Sequence, residues 1–228
     1  MKKQDFLFAG CFLAILAPFF LSSSVYDWYL SFNRAHGLMM SFLKFAVLST
    51  AGEMIGLRIT AGVYNRKGFG LLPRALVWGI LGMGISMAMT LFAGGTPILL
   101  EQLGVDGAVA AIGGPLSWGK AGVAFAISVA MNTVFAPVFM TLHKMTDLHI
   151  VDNGGTVRGF FTPFKAAGKL KKLNWDVQWN FVFKKTIPLF WFPAHTVTFL
   201  LPGNFRVLFA ALLGVVLGVL LSVAARKK

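Results

Sequence analysis

The chain has 228 residues, of which 57% are hydrophobic and only 13% are charged. With a mean hydropathy of +0.73, this composition excludes an ordinary soluble domain. The apolar runs are continuous rather than alternating, which predicts helices, because lipid requires each segment to satisfy its own backbone. We therefore predict an all-α membrane protein, a bundle of about six transmembrane helices with both termini inside, in one domain over residues 1–228.

The first apolar run covers residues 6–22 and follows a basic N-terminus, which is also the layout of a secretory signal peptide. We expect it to be retained as a first helix that extends toward Tyr26, Trp28 and Tyr29, because aromatic side chains collect at membrane interfaces. Cleavage of this run stays open as the alternative.

Five more apolar runs predict crossings at 38–63, 71–92, 120–142, 181–201 and 204–225. The last two form a hairpin, because Pro202-Gly203-Asn204 has the composition of a tight turn. Gly214 and Gly218 behind that turn have the spacing that lets another helix approach closely.

The polar stretch before the fifth crossing contains a predicted amphipathic helix over residues 163–173. Lys165, Lys169 and Lys172 fall on one face of this helix, where they would meet anionic headgroups on the membrane surface. A solvated basic face without a partner is the alternative.

The predicted topology places most of the basic residues on one side of the membrane. With the N-terminus inside, 17 of the 21 Lys and Arg residues fall on the inner side and 4 on the outer side. This bias is typical of membrane proteins and explains the net charge of +13 without nucleic acid.

Three polar residues lie within predicted crossings, where an ionisable group is costly and needs a partner or a wet cavity. We predict that Glu53, Asn132 and His195 line a path, ordered by depth. The basic residues at its inner mouth would be Arg58, Arg74, Lys184 and Lys185. Hydrogen bonding that only fixes helix packing is the alternative, and Glu53 lies within a Gly52-x-x-x-Gly56 packing motif.

Metal, cofactor and catalytic sites are not expected. The single Cys11 excludes a disulfide framework. His143, Asp147 and His149 have the residue types of metal ligands, but we interpret their spacing as coincidence in a polar stretch.

Two segments carry a family resemblance. Asn132-Thr133-Val134-Phe135-Ala136-Pro137-Val138-Phe139 is similar to a signature of the Mpv-seventeen/peroxisomal membrane protein family, and Gly52-Glu53 and Arg74 are similar to two of its earlier elements. The hairpin matches that family's C-terminal pattern in order, with Trp191-Phe192-Pro193, Thr198-Phe199, Pro202, Arg206-Val207 and Leu221-Ser222.

The pattern also departs from the family, since Thr198 stands in place of an expected Asn and His195 near an expected Gln. The resemblance implies a distant, prokaryotic relative among small multi-helix membrane proteins associated with pore formation or solute passage. It supplies no catalytic residues.

Our leading hypothesis is a membrane protein that forms, or helps to form, a narrow path for small solutes. The alternative is a non-enzymatic scaffold or accessory subunit that binds partner helices and anionic lipid at the inner face, as a homo-oligomer or with another membrane protein. A third reading is a lipid-modifying enzyme around His143, Asp147 and His149. We expect a bacterial cytoplasmic membrane, with an organelle inner membrane as the alternative.

Overall fold

The computed structural model describes residues 2–226, with side chains up to Val223. The described residues form helices and turns and contain no β-strand, as the sequence predicts. They belong to two compact units, Met1–Met40 and Ser41–Lys228. Lys227 and Lys228, which the charge count assigns to the inner side, lie outside the described residues.

The first unit contains α1, Lys3–Leu21, and α2, Ser23–Ala35. Ser22 between them is extended, and its hydroxyl accepts a hydrogen bond from the backbone N–H three residues later at 3.4 Å. The rings of Phe19 and Tyr29 meet edge to face with centroids 5.4 Å apart. The first helix therefore does not extend to Tyr29, because the Ser22 cap starts a separate helix.

The second unit is built on long helices. They are α3, Gly37–Ala61, which begins in the first unit, α4, Leu71–Gln102, and α6, Trp118–Asp152, with the short α5, Ala108–Gly113, between the last two. Five helices of the described chain are long and apolar enough to cross a membrane, namely Lys3–Leu21, Gly37–Ala61, Leu71–Gln102, Trp118–Asp152 and Gly203–Val223.

Two helices run further than predicted. α4 continues ten residues past Phe92 through the glycine-rich stretch, and Pro97 within it is buried. α6 continues ten residues past Leu142. Polar residues in this last part of α6 are held by partners on neighbouring segments, as described below, so they do not end the helix.

The predicted crossing over residues 181–201 is divided between two helix types. A π-helix, Gln178–Trp191, leads without a break into α10, Phe192–Leu200. The wide π geometry is seen at its end, where the backbone N–H of Phe192 donates to the carbonyl of Ile187, five residues earlier. A sixth membrane crossing at this place stays a prediction.

The predicted turn leads into α11, Gly203–Arg226. The Arg206 side chain folds back over the turn, because its guanidinium donates to the carbonyls of Leu201 at 3.0 Å and Phe199 at 3.1 Å. These bonds satisfy backbone acceptors at the end of α10, which have no partner within the helix itself.

Helix α6 lies at the centre of the second unit. It packs against α4, α5, the π-helix and α10. Its residues Ala124, Ile127 and Ser128 are completely inaccessible to solvent, so α6 forms the centre of the core.

Glycines let α3 and α11 approach closely. A Cβ atom at Gly52 would lie 3.0 Å from the Cα of Val215, and one at Gly218 would lie 3.8 Å from the carbonyl oxygen of Gly52. At Gly56 a Cβ would lie 2.7 Å from the hydroxyl of Ser222. The two glycine motifs of the sequence thus face each other across one helix contact.

Short helices follow α6. They are α7, Val157–Phe160, α8, Ala166–Lys172, and α9, Trp175–Val177. Lys169 of α8 is buried and forms an ion pair with Asp152, so it does not join Lys165 and Lys172 on an open face as predicted. The salt bridge turns this lysine toward α6.

Candidate functional site

Three long helices bring five polar side chains together where α3 ends, α4 begins and α6 ends. We call this group the ion-pair cluster; it consists of Glu53, Arg74, Trp78, His143 and Asp147. The Arg74 Nη1 atom lies 2.5 Å from Glu53 Oε2 and 2.7 Å from Asp147 Oδ1. One guanidinium thus joins carboxylates from two different helices, and this geometry is charge-assisted hydrogen bonding.

The backbone before α4 holds Arg74 in place. Its Nε donates to the carbonyl of Phe69 at 2.7 Å, and its guanidinium carbon lies 4.8 Å from the centre of the Phe69 ring. Gly70, at the start of α4, has a φ of +77°, and a Cβ there would lie 2.4 Å from Ile150 Cγ2. Only glycine therefore allows the turn that aims Arg74 between α3 and α6.

Trp78 and His143 complete the cluster. Trp78 lies one turn after Arg74 on the same face of α4, and its indole N–H donates to Glu53 Oε1 at 2.9 Å. The His143 ring lies 4.3 Å from the Trp78 ring, and its Nε2 lies 3.4 Å from Glu53 Oε1 and 3.9 Å from Asp147 Oδ1. Both carboxylates therefore face more than one nitrogen.

The cluster is largely shielded from solvent. The exposed fraction of the side chain is 11% for Arg74, 18% for Asp147 and 20% for both Glu53 and His143. At such burial the cost of desolvating a charge is offset only while its partner is present. The group behaves as one unit, and loss of Arg74 would leave two carboxylates without their main counter-charge.

Three donor atoms of the cluster have the chemistry of metal ligands. One oxygen each of Glu53 and Asp147 and one nitrogen of His143 lie within 4.8 Å of one another. However, the Arg74 guanidinium contacts both carboxylates directly, and its positive charge would repel a cation there. The donor set therefore fits a guanidinium better than a metal ion.

His149 is not part of this group, although the sequence places it close to His143 and Asp147. Its Nε2 lies 2.8 Å from the carbonyl of Phe160, and its Nδ1 lies 3.3 Å from Asn153 Nδ2. His149 therefore joins the end of α6 to α7. Of the three residues that the lipid-modifying hypothesis names, the structure brings His143 and Asp147 together.

Asn132 and His195 pair with each other. We call them, with Ser128, the amide–histidine cluster. His195 Nδ1 lies 2.9 Å from Asn132 Nδ2 and 3.1 Å from Asn132 Oδ1. The same amide donates to the carbonyl of Ser128 at 2.8 Å, and the Ser128 hydroxyl donates to the carbonyl of Phe192 at 2.8 Å. α6 and α10 are thus joined beside Pro193.

Glu53 is not brought near Asn132 and His195. His143, which contacts Glu53, is eleven residues after Asn132 on α6, a rise of roughly 16 Å along the axis. The same face of α6 carries Ala136, packed with Trp191, and Phe139, whose ring lies 6.5 Å from that of Trp78. Apolar side chains therefore separate the two polar clusters along this face.

The residues of the predicted basic mouth have different partners. Arg74 lies in the ion-pair cluster, whereas the Arg58 guanidinium donates to the carbonyl of Gly62 at 3.0 Å. Lys184 and Lys185 are exposed, and the Lys184 ammonium donates to Asn180 Oδ1 at 3.2 Å.

The other residues of the family resemblance occupy different surroundings. Ala136 and Trp191 share an apolar cluster in the core, and Pro137 lies half-buried inside α6. Thr133, Pro193 and Pro202 are exposed, and Arg206 binds the carbonyls at the end of α10.

Sequence reasoning identified Glu53 and Arg74 but did not join them, and it left Trp78 out. A usable signal was present. Arg74 and Trp78 are four residues apart, as are His143 and Asp147, so each pair shares a helix face. Two polar pairs of this spacing near the same end of neighbouring helices indicate a shared contact.

The ion-pair cluster is therefore the best-defined candidate site among the described residues. The chain matches no protein-family model, no curated protein and no solved structure. The resemblance to the Mpv-seventeen/peroxisomal membrane protein family accordingly stays a prediction that depends on the quoted residues alone.

Proposed function

We propose that this chain is a non-enzymatic membrane scaffold or accessory subunit, with a bundle held rigid by its buried polar clusters and outer helix faces that bind partner helices. One observation carries the proposal. Of the residues expected to line a path, Asn132 and His195 bond to each other and Glu53 bonds to Arg74. Apolar side chains separate these two groups along α6.

The inner contacts support rigidity. Arg74 bridges α3 and α6, and the amide–histidine cluster joins α6 to α10. Polar side chains that meet in this way act between helices where lipid offers no competing partner. The consequence is a fixed arrangement of helices rather than an open polar channel.

The outer faces support helix binding. A Cβ atom placed at Gly84 or Gly94 of α4, or at Gly122 of α6, would meet no other atom within 4 Å. Met87 and Leu91 on the same helix as Gly84 are exposed. Small residues on an open face let a second helix approach closely, and van der Waals packing then drives association in lipid.

The test measures assembly in a bilayer. The full chain is purified in nanodiscs formed directly from the host membrane, and its complexes are weighed by native mass spectrometry. We expect a stoichiometric complex, either with a second copy or with another membrane protein, that is lost in Gly84→Leu and kept in Met87→Leu. A lone monomer for the unmodified chain would overturn the proposal.

A second function, passage of small solutes, is favoured by the charge that the bundle retains. Apolar residues of similar volume often replace a buried ion pair without loss of stability, and ionisable groups inside a membrane frequently mark a solute or proton pathway. Conductance and solute flux are measured on the reconstituted chain in liposomes. If the wild type and Glu53→Gln are both silent, this function is dropped.

A further inference from the structure

We propose that the segment around α8 binds the headgroups of anionic phospholipids, through exposed lysines set among exposed aromatic side chains. This inference deepens the proposed scaffold function, and it relies on that function only for insertion of the chain in a bilayer. We call the segment, residues 152–185, the basic–aromatic surface.

Charge is the first argument. The basic–aromatic surface has seven Lys and Arg residues and two acidic residues. Both acids are engaged, because Asp152 pairs with Lys169 and Lys172 and Asp176 accepts a hydrogen bond from Asn180 at 2.6 Å. Within the described residues, Lys165 and Lys171 form no ion pair and are exposed. Their positive charge is available to an outside anion.

The fold of α8 is the second argument. Lys169 of α8 and Leu173 directly after it lie one turn apart and are both buried, so they turn one side of α8 toward the protein. Asp152 at the end of α6 holds that side through Lys169. Lys165 and Lys171 are therefore left outside by a helix that is itself anchored at the end of α6.

The aromatic residues are the third argument. Phe161 and Phe164 precede α8 and are 72% and 40% exposed, and Trp175 and Trp179 follow it and are 46% and 55% exposed. Aromatic rings of this kind favour the membrane–water interface. The Trp175 indole N–H donates to the carbonyl of Leu170 at 3.0 Å, which ties one ring to the end of α8.

Lysines between interfacial aromatic rings have the chemistry to recognise a phosphodiester headgroup rather than a soluble anion, because the rings would contact the glycerol and acyl part of the lipid. Each lysine near an anionic surface contributes about 1 kcal/mol, which converts to about a five-fold change in affinity. Loss of Lys165 and Lys171 together is therefore expected to weaken binding by about 25-fold.

The experiment titrates the full chain in neutral detergent with short-chain phosphatidylglycerol, with short-chain phosphatidylcholine as the neutral lipid and glycerol phosphate as the free phosphate. The variant is Lys165→Gln with Lys171→Gln. The matched control is Arg66→Gln with Lys67→Gln, an exposed pair in the turn between α3 and α4. Elution volume and thermal stability establish that both variants stay folded.

We expect phosphatidylglycerol binding to fall by about 25-fold in the α8 variant and much less in the control, with little binding of phosphatidylcholine or glycerol phosphate. Equal losses in both pairs would show general attraction only and overturn the proposal, as would no loss in either. Equal binding of glycerol phosphate would also overturn it. The complex lost in Gly84→Leu is measured separately, so failure here leaves the scaffold proposal standing.

A second pair of variants tests the aromatic contribution. Phe161→Ser with Trp179→Ser should weaken phosphatidylglycerol binding, while Trp118→Ser should not, because Trp118 is 93% exposed at the opposite end of α6. Unchanged phosphatidylglycerol binding in the variant with Phe161→Ser and Trp179→Ser would contradict a role for the rings.

Discussion

The two polar clusters on α6 both provide partners for polar side chains inside the bundle, but they use different chemistry. The ion-pair cluster uses full charges and lies toward the end of α6, where three helices and a loop supply its partners. The amide–histidine cluster uses neutral hydrogen bonds near the middle of the helix and is almost completely buried. Charge is costlier toward the bilayer centre, so its placement near a helix end agrees with a bundle in lipid.

The two clusters should also contribute differently to the stability of the bundle. A buried charge that loses its partner is strongly unfavourable, whereas a neutral hydrogen bond within a membrane is worth little more than in water. The ion-pair cluster should therefore dominate the stability of the bundle, and the amide–histidine cluster should adjust it.

The largest effect is expected for Arg74→Leu. This change leaves Glu53 and Asp147 largely shielded from solvent without their guanidinium and should lower the free energy of unfolding by about 3–5 kcal/mol. Reversible denaturation in mixed micelles measures it. Arg66→Leu, at an exposed position in the turn before α4, is the control and should change stability by less than about 0.5 kcal/mol. Equal destabilisation by Arg74→Leu and Arg66→Leu would contradict this role of the ion-pair cluster.

Trp78→Phe tests the same cluster more gently. The ring against His143 is kept, but the hydrogen bond to Glu53 is lost, and a bond to a charged group contributes about 1.5–3 kcal/mol. Trp118→Phe is the matched change at an exposed site. The same denaturation measurement compares them, and no difference between the two would show that the indole N–H of Trp78 does not contribute.

Gly82→Ala tests the packing that brings α3 to α4. A Cβ there would lie 2.5 Å from the Cβ of Phe45, whereas one at Gly84 would meet no atom within 4 Å. Overpacking should cost about 1–3 kcal/mol at Gly82, while Gly84→Ala should be neutral or favourable by up to about 1 kcal/mol. If Arg74→Leu already separates these helices, the Gly82→Ala penalty should shrink in the double variant.

The smallest effect is expected in the amide–histidine cluster. Asn132→Leu removes the partner of His195 and should cost about 1–2 kcal/mol, less than Arg74→Leu. Thr133→Val, at the exposed neighbouring position, should be nearly neutral. A loss at Asn132 as large as that at Arg74 would reverse the ranking of the two clusters.

The prediction of helices followed from hydropathy, and most of their positions agree with the structure. Its errors have identifiable causes. α4 passes through a glycine-rich stretch, and α6 passes through a polar one, because tertiary partners outweigh local propensity there. The predicted amphipathic face of α8 is altered at Lys169, because Asp152 pulls that lysine inward.

The sequence by itself determined the all-helical class, the glycine spacings that allow close helix approach, and the cost that every buried polar residue must offset. Only the tertiary structure decided the partners, since Glu53 bonds to Arg74 and Trp78 rather than to Asn132 or His195. The physical reason is that helix periodicity states which residues share a face, but not which face of another helix lies opposite. That choice depends on how all the helices pack at once.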